Sequence, residues 1–225
     1  MEHPRRSPGV VVALVAGVVL LVLTAWAVVD KQLAGGTVPH AAPSGTGILV
    51  SPTSTRAEAP LLVVYFDYMC EPCKRYHDVF RDRVERAVES GRIRLEFRTL
   101  TFMDVKEIQG STNAAIGAAC ADGLGSYRDY DDAVWAQQDE IGGTWRSTQI
   151  LRTDIPTAIG LGAGEIATFQ RCFDAHATST FVKSVNQRAL SSGMNRVPAW
   201  LLDGVDITSK LDPKEPSSID PFIGA

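Results

Sequence analysis

The fold of this chain is decided by one stretch, residues 61–73, which reads LLVVYFDYMCEPC. Its first part, Leu61–Phe66, is an apolar run without alternation, which is typical of a buried strand. Cys70 and Cys73 follow at CxxC spacing and begin a helical pattern that extends to about Ser90. A strand that leads through CxxC into a helix is the arrangement of a dithiol redox site.

The residues after this helix predict a second strand. Gly91 stands where a glycine commonly ends a helix. Ile93, Leu95 and Phe97 then alternate with charged residues, which indicates a half-buried strand. A further short strand is predicted upstream, at residues 47–50. From Leu61 to Phe97 the order of elements is therefore β-α-β.

A helical segment interrupts the strands from about residue 111 to residue 192. Apolar spacing predicts helices at 114–121, 127–138 and 154–159, around 166–173 and at 181–189. Asp154 is placed to cap the third of these. Roughly eighty helical residues form a subdomain rather than a loop.

The C-terminal region predicts a hairpin followed by an irregular tail. An apolar run begins at Val197-Pro198, and Asp203-Gly204 separates it from a second run, which is a strong hairpin signal. Pro198 is tolerated there as the first residue of a strand. The tail from Leu211 contains three prolines, so any final helix is short or missing.

The N-terminus predicts a membrane anchor. Residues 10–29 are apolar and uncharged, and twenty helical residues span about 30 Å, the thickness of a bilayer core. Arg5 and Arg6 predict that residues 1–9 stay in the cytoplasm, so the rest is extracytoplasmic at the cell membrane. The alternative is a signal peptide cleaved near Ala25-Trp26-Ala27, which would give a secreted protein. Residues 30–46 are predicted as a flexible linker and 47–225 as the domain.

Charge and cysteine content narrow the class of protein. The 225 residues carry a net charge of -4 with both signs interspersed, so no basic face for nucleic acid is expected. All four cysteines lie at or after Cys70, within the exported part. Disulfides persist in such compartments.

The order of elements resembles the DsbA-like branch of the thioredoxin superfamily over roughly residues 47–208. The resemblance implies an α/β thioredoxin-like fold with a helical insertion, here preceded by one transmembrane helix. It implies that Cys70 is the exposed nucleophile and Cys73 the resolving cysteine. It also implies that Pro198 is a cis-proline facing the dithiol, and that Val197 offers backbone groups to an extended substrate peptide.

Cys120 and Cys172 lie on separate predicted helices without a CxxC partner. Paired, they would close a loop of about fifty residues, for which chain entropy gives roughly 4 kcal/mol. A structural disulfide is the favoured interpretation, and the resemblance agrees with it. Two buried free cysteines or a second redox pair are the alternatives.

The chain departs from the thioredoxin pattern at two places. Thioredoxins carry a buried acid six residues before the first CxxC cysteine, where this chain has Val64. Asp67 is the nearest acid upstream, and we do not expect it to take the same role. The second departure is the proline-rich tail, which would leave part of one sheet face to be covered by something else.

The residues between the cysteines tune the dithiol. A helix N-terminus stabilises the Cys70 thiolate. Glu71 places a carboxylate beside it and opposes ionisation, and Pro72 lacks an N–H that could donate to the sulfur. We expect a reduction potential between those of DsbA, about -120 mV, and thioredoxin, about -270 mV.

A fixed disulfide and a metal site are the competing interpretations of Cys70 and Cys73. His77 comes four residues after Cys73 and can share its helix face. Three ligands on one helix are too few for a closed zinc site, so neither metal nor cofactor is expected. His77 is predicted to be a solvated helix residue.

The expected function is the introduction of disulfides into exported proteins. The family resemblance implies a quinone-linked membrane oxidase as the partner that reoxidises the dithiol. A membrane-tethered reductase or isomerase is the first alternative. A non-catalytic peptide- or metal-binding module on the same fold is the second.

Overall fold

The computed structural model describes residues 17, 38–42, 46–50, 56–106, 108–138 and 148–224. The chain divides into two compact units, residues 1–36 and 37–225. Only Gly17, which is helical and exposed, is described in the first unit, so the anchor predicted at 10–29 otherwise lies outside the described residues. Among the described residues, no helix has the length and apolar character needed to cross a membrane.

In the part of the chain that the structure describes, five strands form one mixed sheet in the order β1-β3-β2-β4-β5. They are β1 (Ile48–Leu49), β2 (Leu61–Phe66), β3 (Arg94–Thr99), β4 (Ala199–Leu202) and β5 (Val205–Asp206). Strand β2 lies at the centre, parallel to β3 and antiparallel to β4, and Val64 is opposite Phe97 and Trp200. From Leu62 to Phe66 no residue is more than 6% exposed. Because both faces of β2 are covered, its sequence is continuously apolar.

Helix α1 (Glu71–Glu89) connects the parallel strands β2 and β3. Its apolar stripe, which includes Phe80, Val84 and Val88, is buried. The helix ends at Ser90, and Gly91 follows with φ +70°, the left-handed conformation in which glycine is least strained. The strand, helix and glycine stop predicted from the sequence are therefore all present.

The helical insertion packs around α2. It contains α2 (Gly110–Asp122), α3 (Tyr127–Gln137), α4 (Ile155–Ala158), α5 (Ala163–Asp174) and α6 (Ser179–Ser191). Almost every residue of α2 is buried, and its small side chains let neighbouring helices approach closely. Asp154 does not cap α4: it is itself helical, in a π-helical turn at Ile150–Asp154 that runs directly into α4. The cap prediction failed because the preceding residues also fold as helix.

A disulfide joins Cys120 on α2 to Cys172 on α5. The two Cα atoms are 5.9 Å apart and the residues are 52 apart in sequence. Cys120 is 5% exposed, and its Sγ lies 3.9 Å from the hydroxyl oxygen of Thr178, the residue that precedes α6. The bridge therefore connects two helices of the insertion, with Cys120 buried and Cys172 partly buried.

The chain ends on the side of α1. Asp203 and Gly204 form the predicted hairpin turn, with φ of 48° and 82°. The tail ends in α7 (Asp220–Ile223), a single helical turn. Ile219 and Ile223 are at most 1% exposed, and Arg83 on α1 pairs with Asp220 at 2.6 Å. The short tail thus packs on the domain without a long helix.

Part of the predicted linker also packs on the domain. Ala42 is fully buried. The Ala41 N–H donates to the Asp122 carboxylate at 2.8 Å, and the Leu49 N–H donates to the Ala41 carbonyl at 2.9 Å. These bonds attach the chain just before β1 to the end of α2.

Candidate active site

Cys70 and Cys73 are joined in a disulfide at the start of α1, with Cα atoms 5.2 Å apart. Cys70 is the N-cap residue, and its Sγ accepts a hydrogen bond from the Cys73 N–H at 3.2 Å. The free N–H groups and the dipole of the helix therefore point towards the Cys70 sulfur. This arrangement stabilises negative charge there when the disulfide is opened.

The structure corrects the expectation that Cys70 is exposed. Cys70 is 4% exposed and Cys73 is 3% exposed. The Cys70 N–H donates to the Asp67 carbonyl at 2.9 Å, and this tight turn draws Cys70 against the domain. The roles of the two sulfurs therefore follow from their helix positions rather than from unequal exposure.

The two intervening residues are both exposed. Glu71 forms an ion pair with Arg75 at 2.9 Å. This neighbouring cation offsets part of the repulsion that the Glu71 carboxylate exerts on a thiolate. Pro72 lies in the first turn of α1, and the Cys73 N–H beyond it is the donor to the Cys70 sulfur.

The Val197–Pro198 peptide bond is cis, as the resemblance implies. Both residues are half-buried. Pro198 lines the same pocket as Cys73, immediately before β4, which pairs with the central strand. Folding therefore brings residues 125 positions apart in the sequence to one site.

A pocket lies over the sheet between α1 and α3, and we call it the dithiol pocket. It encloses about 610 Å³, part of it open to solvent. Its lining comprises Val64, Phe66, Cys73, His77, Arg81, Val84, Glu85, Leu95, Phe97, Arg128, Asp131, Asp132, Trp135, Pro198 and Trp200. The sheet contributes apolar side chains, and the two helices contribute the charged ones.

His77 is not the solvated residue that the sequence predicts. Only 15% of its side chain is exposed. The ring stacks on Trp135 with centroids 5.3 Å apart, and Nε2 lies 3.3 Å from an Asp132 oxygen. Burial lowers the pKa of His77, but the hydrogen bond to Asp132 and the charge of Asp131 outweigh it, so the pKa is raised. His77 is buried because α3 covers this face of α1.

Asp131 is a buried carboxyl in the same cluster. It is 3% exposed and accepts a hydrogen bond of 2.6 Å from the Tyr68 hydroxyl. Burial raises its pKa to about 6, although the nearby His77 and the Tyr68 bond act in the opposite direction. This carboxyl therefore changes its charge in the range where a histidine does.

The pKa of the neighbouring Asp132 is shifted in the opposite direction. The Arg81 guanidinium donates to both of its oxygens, with an Nε–Oδ1 distance of 2.6 Å. Burial raises the pKa of Asp132, but the bonds from His77 and Arg81 lower it more, so the pKa falls below its usual value. Asp132 is thus a fixed negative charge.

The ligand atoms of His77, Asp131 and Asp132 lie within 4.8 Å of one another, close enough for a metal ion. However, Arg81 already bonds Asp132 and Tyr68 already bonds Asp131. A metal ion would have to displace the Arg81 guanidinium from Asp132, and the positive charge of this guanidinium would remain nearby and repel the ion. The cluster is therefore better suited to holding protons.

Asp67 acts as a buried anchor beside the dithiol. It is fully buried, and its carboxylate accepts bonds from Met69 N–H (2.8 Å), Met103 N–H (2.9 Å) and the Ser111 hydroxyl (2.6 Å). Burial raises its pKa, and the bond from Ser111 partly opposes this. Asp67 does not line the dithiol pocket. It instead holds together the turn before Cys70 and the loop that enters α2.

Motif spacing does not identify Asp131 as a site residue, although the helical pattern around it contains a signal. Tyr127, Tyr130 and Val134 form the buried stripe of α3 at i, i+3 and i+7. Asp131 stands within this stripe, at i+4. A charged residue at a core position of an amphipathic helix indicates a functional or paired group.

A family model described as thioredoxin matches residues 55–219. The chain belongs to the thioredoxin family. No curated protein matches the sequence.

Several solved structures share the thioredoxin-family fold seen here. The MdbA thiol-disulfide oxidoreductase of Actinomyces oris is 16% identical, with a TM-score of 0.70 over 84% of this chain and 93% of that one. MdbA of Corynebacterium diphtheriae is 19% identical, with a TM-score of 0.65 over 77% and 88%. BdbD of Bacillus subtilis is 15% identical, with a TM-score of 0.65 over 84% and 96%. At these identities the likeness concerns the fold.

Proposed function

We propose that this chain is a thiol-disulfide oxidoreductase that introduces disulfides into exported proteins by exchange at Cys70–Cys73. One observation carries the proposal: a disulfide at a helix N-terminus, with a cis-proline, Pro198, on the same pocket. Structures with the same fold belong to thiol-disulfide oxidoreductases.

The chemistry proceeds in two exchanges. A substrate thiolate attacks the Cys70 sulfur, an S–S bond forms between them, and the electron pair of the broken bond goes to the Cys73 sulfur. A second substrate thiolate then attacks the substrate sulfur of the mixed disulfide, and Cys70 leaves as a thiolate. The substrate loses two electrons and the enzyme dithiol gains them. The helix N-terminus favours this direction because each pKa unit of thiolate stabilisation is worth about 1.4 kcal/mol.

The backbone around Pro198 is proposed to position the substrate. Val197 precedes the cis bond and the short strand β4. An extended peptide placed beside Val197 would gain main-chain hydrogen bonds, which give affinity without demanding one sequence. Such binding suits an enzyme that acts on many exported proteins.

We place the domain outside the cytoplasm, tethered to the cell membrane by residues 10–29. The apolar run and the preceding arginines support this location. The Cys120–Cys172 bridge supports it as well, because structural disulfides persist in oxidising compartments. Cleavage after the apolar run would give a secreted enzyme with the same site.

Each turnover leaves the dithiol reduced, so continued oxidation requires an electron acceptor. We propose a quinone-linked oxidase in the membrane as that acceptor. The tether supports this assignment because it keeps the dithiol near the bilayer. The cycle would then move two electrons from each substrate dithiol to the quinone.

A reductase or isomerase is the second candidate function. Pro72 has no N–H to donate, and Glu71 adds a carboxylate beside the sulfur. Both features weaken thiolate stabilisation and move the potential towards that of a reductant. A non-catalytic peptide- or metal-binding module, with an inert disulfide, is the third.

The reduction potential of Cys70–Cys73 separates these functions. We expect a value between about -120 and -270 mV and oxidation of a reduced, unfolded protein by the purified full-length chain in detergent. Cys70→Ala should abolish this activity, whereas Cys120→Ala with Cys172→Ala should retain it. Insulin reduction without dithiol oxidation would support the reductase. Inactivity of the wild type in both assays would support the binding module.

A further inference from the structure

We propose that His77 and Asp131 form a proton-carrying pair that supplies the Cys73 sulfur through the dithiol pocket. The inference rests on the proposed function, in which the electron pair of the broken disulfide goes to Cys73. The pair acts on Cys73, which lines the dithiol pocket, whereas the helix N-terminus acts on Cys70.

The need for such a pair follows from burial. Cys73 is 3% exposed, and an isolated charge at a buried position is strongly unfavourable. A thiolate released on Cys73 therefore requires a proton or a nearby positive charge. Cys73 and His77 are four residues apart on α1 and line one pocket, so their side chains share a helix face.

The pocket holds His77 in place from several sides. Trp135 stacks on its ring, and Asp132 and Asp78 lie within hydrogen-bond distance of its two nitrogens, at 3.3 and 3.1 Å. The ring still has 15% of its side-chain surface exposed. The imidazole can therefore exchange its proton with solvent at one edge while the rest of the ring stays in the pocket.

Charged and titratable groups surround His77 from two helices and one turn. They are Asp78, Arg81 and Glu85 on α1, Arg128, Asp131 and Asp132 on α3, and Tyr68 before α1. The sheet residues that line the pocket, namely Val64, Phe66, Leu95, Phe97 and Trp200, do not titrate. A proton carrier in this pocket must therefore come from the two helices, since burial raises the pKa of Tyr68 in the turn well above its usual value.

Among these groups, two are suited to transfer protons near neutral pH. Arginine does not release its proton, and Asp132 is held ionised by Arg81. The pKa of Asp131 is raised to about 6, and that of His77 is raised by the neighbouring carboxylates. The carboxylates of Asp132 and Asp131 thus favour the protonated form of His77.

The step conserves atoms and charge. A thiolate of the attacking dithiol forms an S–S bond with Cys70, the Cys70–Cys73 bond breaks, and its electron pair goes to the Cys73 sulfur. That sulfur takes the proton from the His77 imidazolium and becomes a thiol. The imidazole is protonated again from solvent, and the Asp131 carboxylate stabilises the recharged ring.

The test is reduction of the oxidised full-length chain by dithiothreitol in single turnovers between pH 5 and 9. The rate constant is expressed per dithiothreitol thiolate, which removes the ionisation of the reagent. We expect the wild-type rate constant to fall as the pH rises through the titration of His77. His77→Gln should be roughly ten- to hundredfold slower at pH 6 and should not vary with pH. His40→Gln, at an exposed position, is the matched control and should behave as wild type.

A second variant separates proton transfer from structural support. Asp131→Asn removes a negative charge next to the ring, so the fall in rate should move to lower pH. A purely structural residue would change the rate without moving this pH. A wild-type pH profile in His77→Gln, or an unmoved profile in Asp131→Asn, would overturn the inference. Failure of dithiothreitol to reduce the wild-type dithiol would instead overturn the proposed function.

Discussion

Removal of the Cys120–Cys172 bridge should lower stability while leaving dithiol exchange intact. The perturbation is the double variant Cys120→Ala, Cys172→Ala. The bridged residues are 52 apart in sequence, and chain entropy for a loop of this length gives about 4 kcal/mol. The bridge lies between α2 and α5, in the insertion, whereas the Cys70–Cys73 disulfide lies at the start of α1. The two disulfides therefore have separable effects.

Urea unfolding under oxidising conditions measures this change. With a denaturant slope of about 2 kcal/mol/M, a loss of about 4 kcal/mol moves the unfolding midpoint down by about 2 M. The slope itself should change little if the native domain stays compact. Oxidation of a reduced substrate, measured below the transition, should match wild type.

Reduced wild-type protein provides the control for packing. Both proteins lack the bridge in excess dithiothreitol, so their midpoints should nearly coincide. An unchanged midpoint under oxidising conditions would refute the argument from loop closure. An equal deficit of the variant under both conditions would assign the loss to the missing sulfur atoms, since Cys120 is buried.

Three further substitutions test the buried charges and the helix contacts. The pKa of Asp131 is raised from its usual 3.8 to about 6, so the wild type loses stability as pH rises through that interval. Asp131→Asn should therefore gain about 3 kcal/mol relative to wild type between pH 4 and 7 in urea unfolding. Asp67→Asn replaces an acceptor of three hydrogen bonds and should cost about 1–3 kcal/mol and slow dithiol exchange. A Cβ on Gly117 would clash with the buried Tyr130 hydroxyl, so Gly117→Ala should cost about 1–3 kcal/mol in thermal or urea unfolding.

Each of these substitutions has a contrasting case in the chain. Asp82, with 76% of its side chain exposed, is the control for both aspartates. Asp82→Asn should change neither the free energy of unfolding nor the rate of dithiol exchange. Gly164 on α5 has open space around the position of a Cβ, so Gly164→Ala should be neutral or stabilising. A pH-independent difference for Asp131→Asn, wild-type exchange by Asp67→Asn, or an undisturbed Gly117→Ala would each contradict the stated cause.

Local patterns were sufficient for much of the fold. The apolar run of β2, the stripe of α1 and the glycine at its end are present at the predicted residues. The Asp203-Gly204 hairpin is present too. These features depend on neighbouring residues and backbone preferences, which a sequence displays directly. The short tail was likewise indicated by its prolines.

The surroundings of the dithiol could not be predicted in the same way. His77 looks like any polar residue on an amphipathic helix, and its burial depends on Trp135, which is 58 residues away. Asp67 and Ser111 are 44 residues apart, yet share a buried hydrogen bond. The family resemblance implies an exposed Cys70, whereas the folded turn buries it.

The sequence by itself determined the CxxC at a helix start, the β-α-β frame and the interrupting helices, because each is encoded by local periodicity or spacing. The tertiary structure decided which groups meet at Cys70–Cys73. It closed α3 over α1, placed Pro198 on the dithiol pocket and buried Asp131 beside His77. The physical reason is that burial and charge pairing depend on contacts between distant segments, and these contacts set the pKa values on which the chemistry depends.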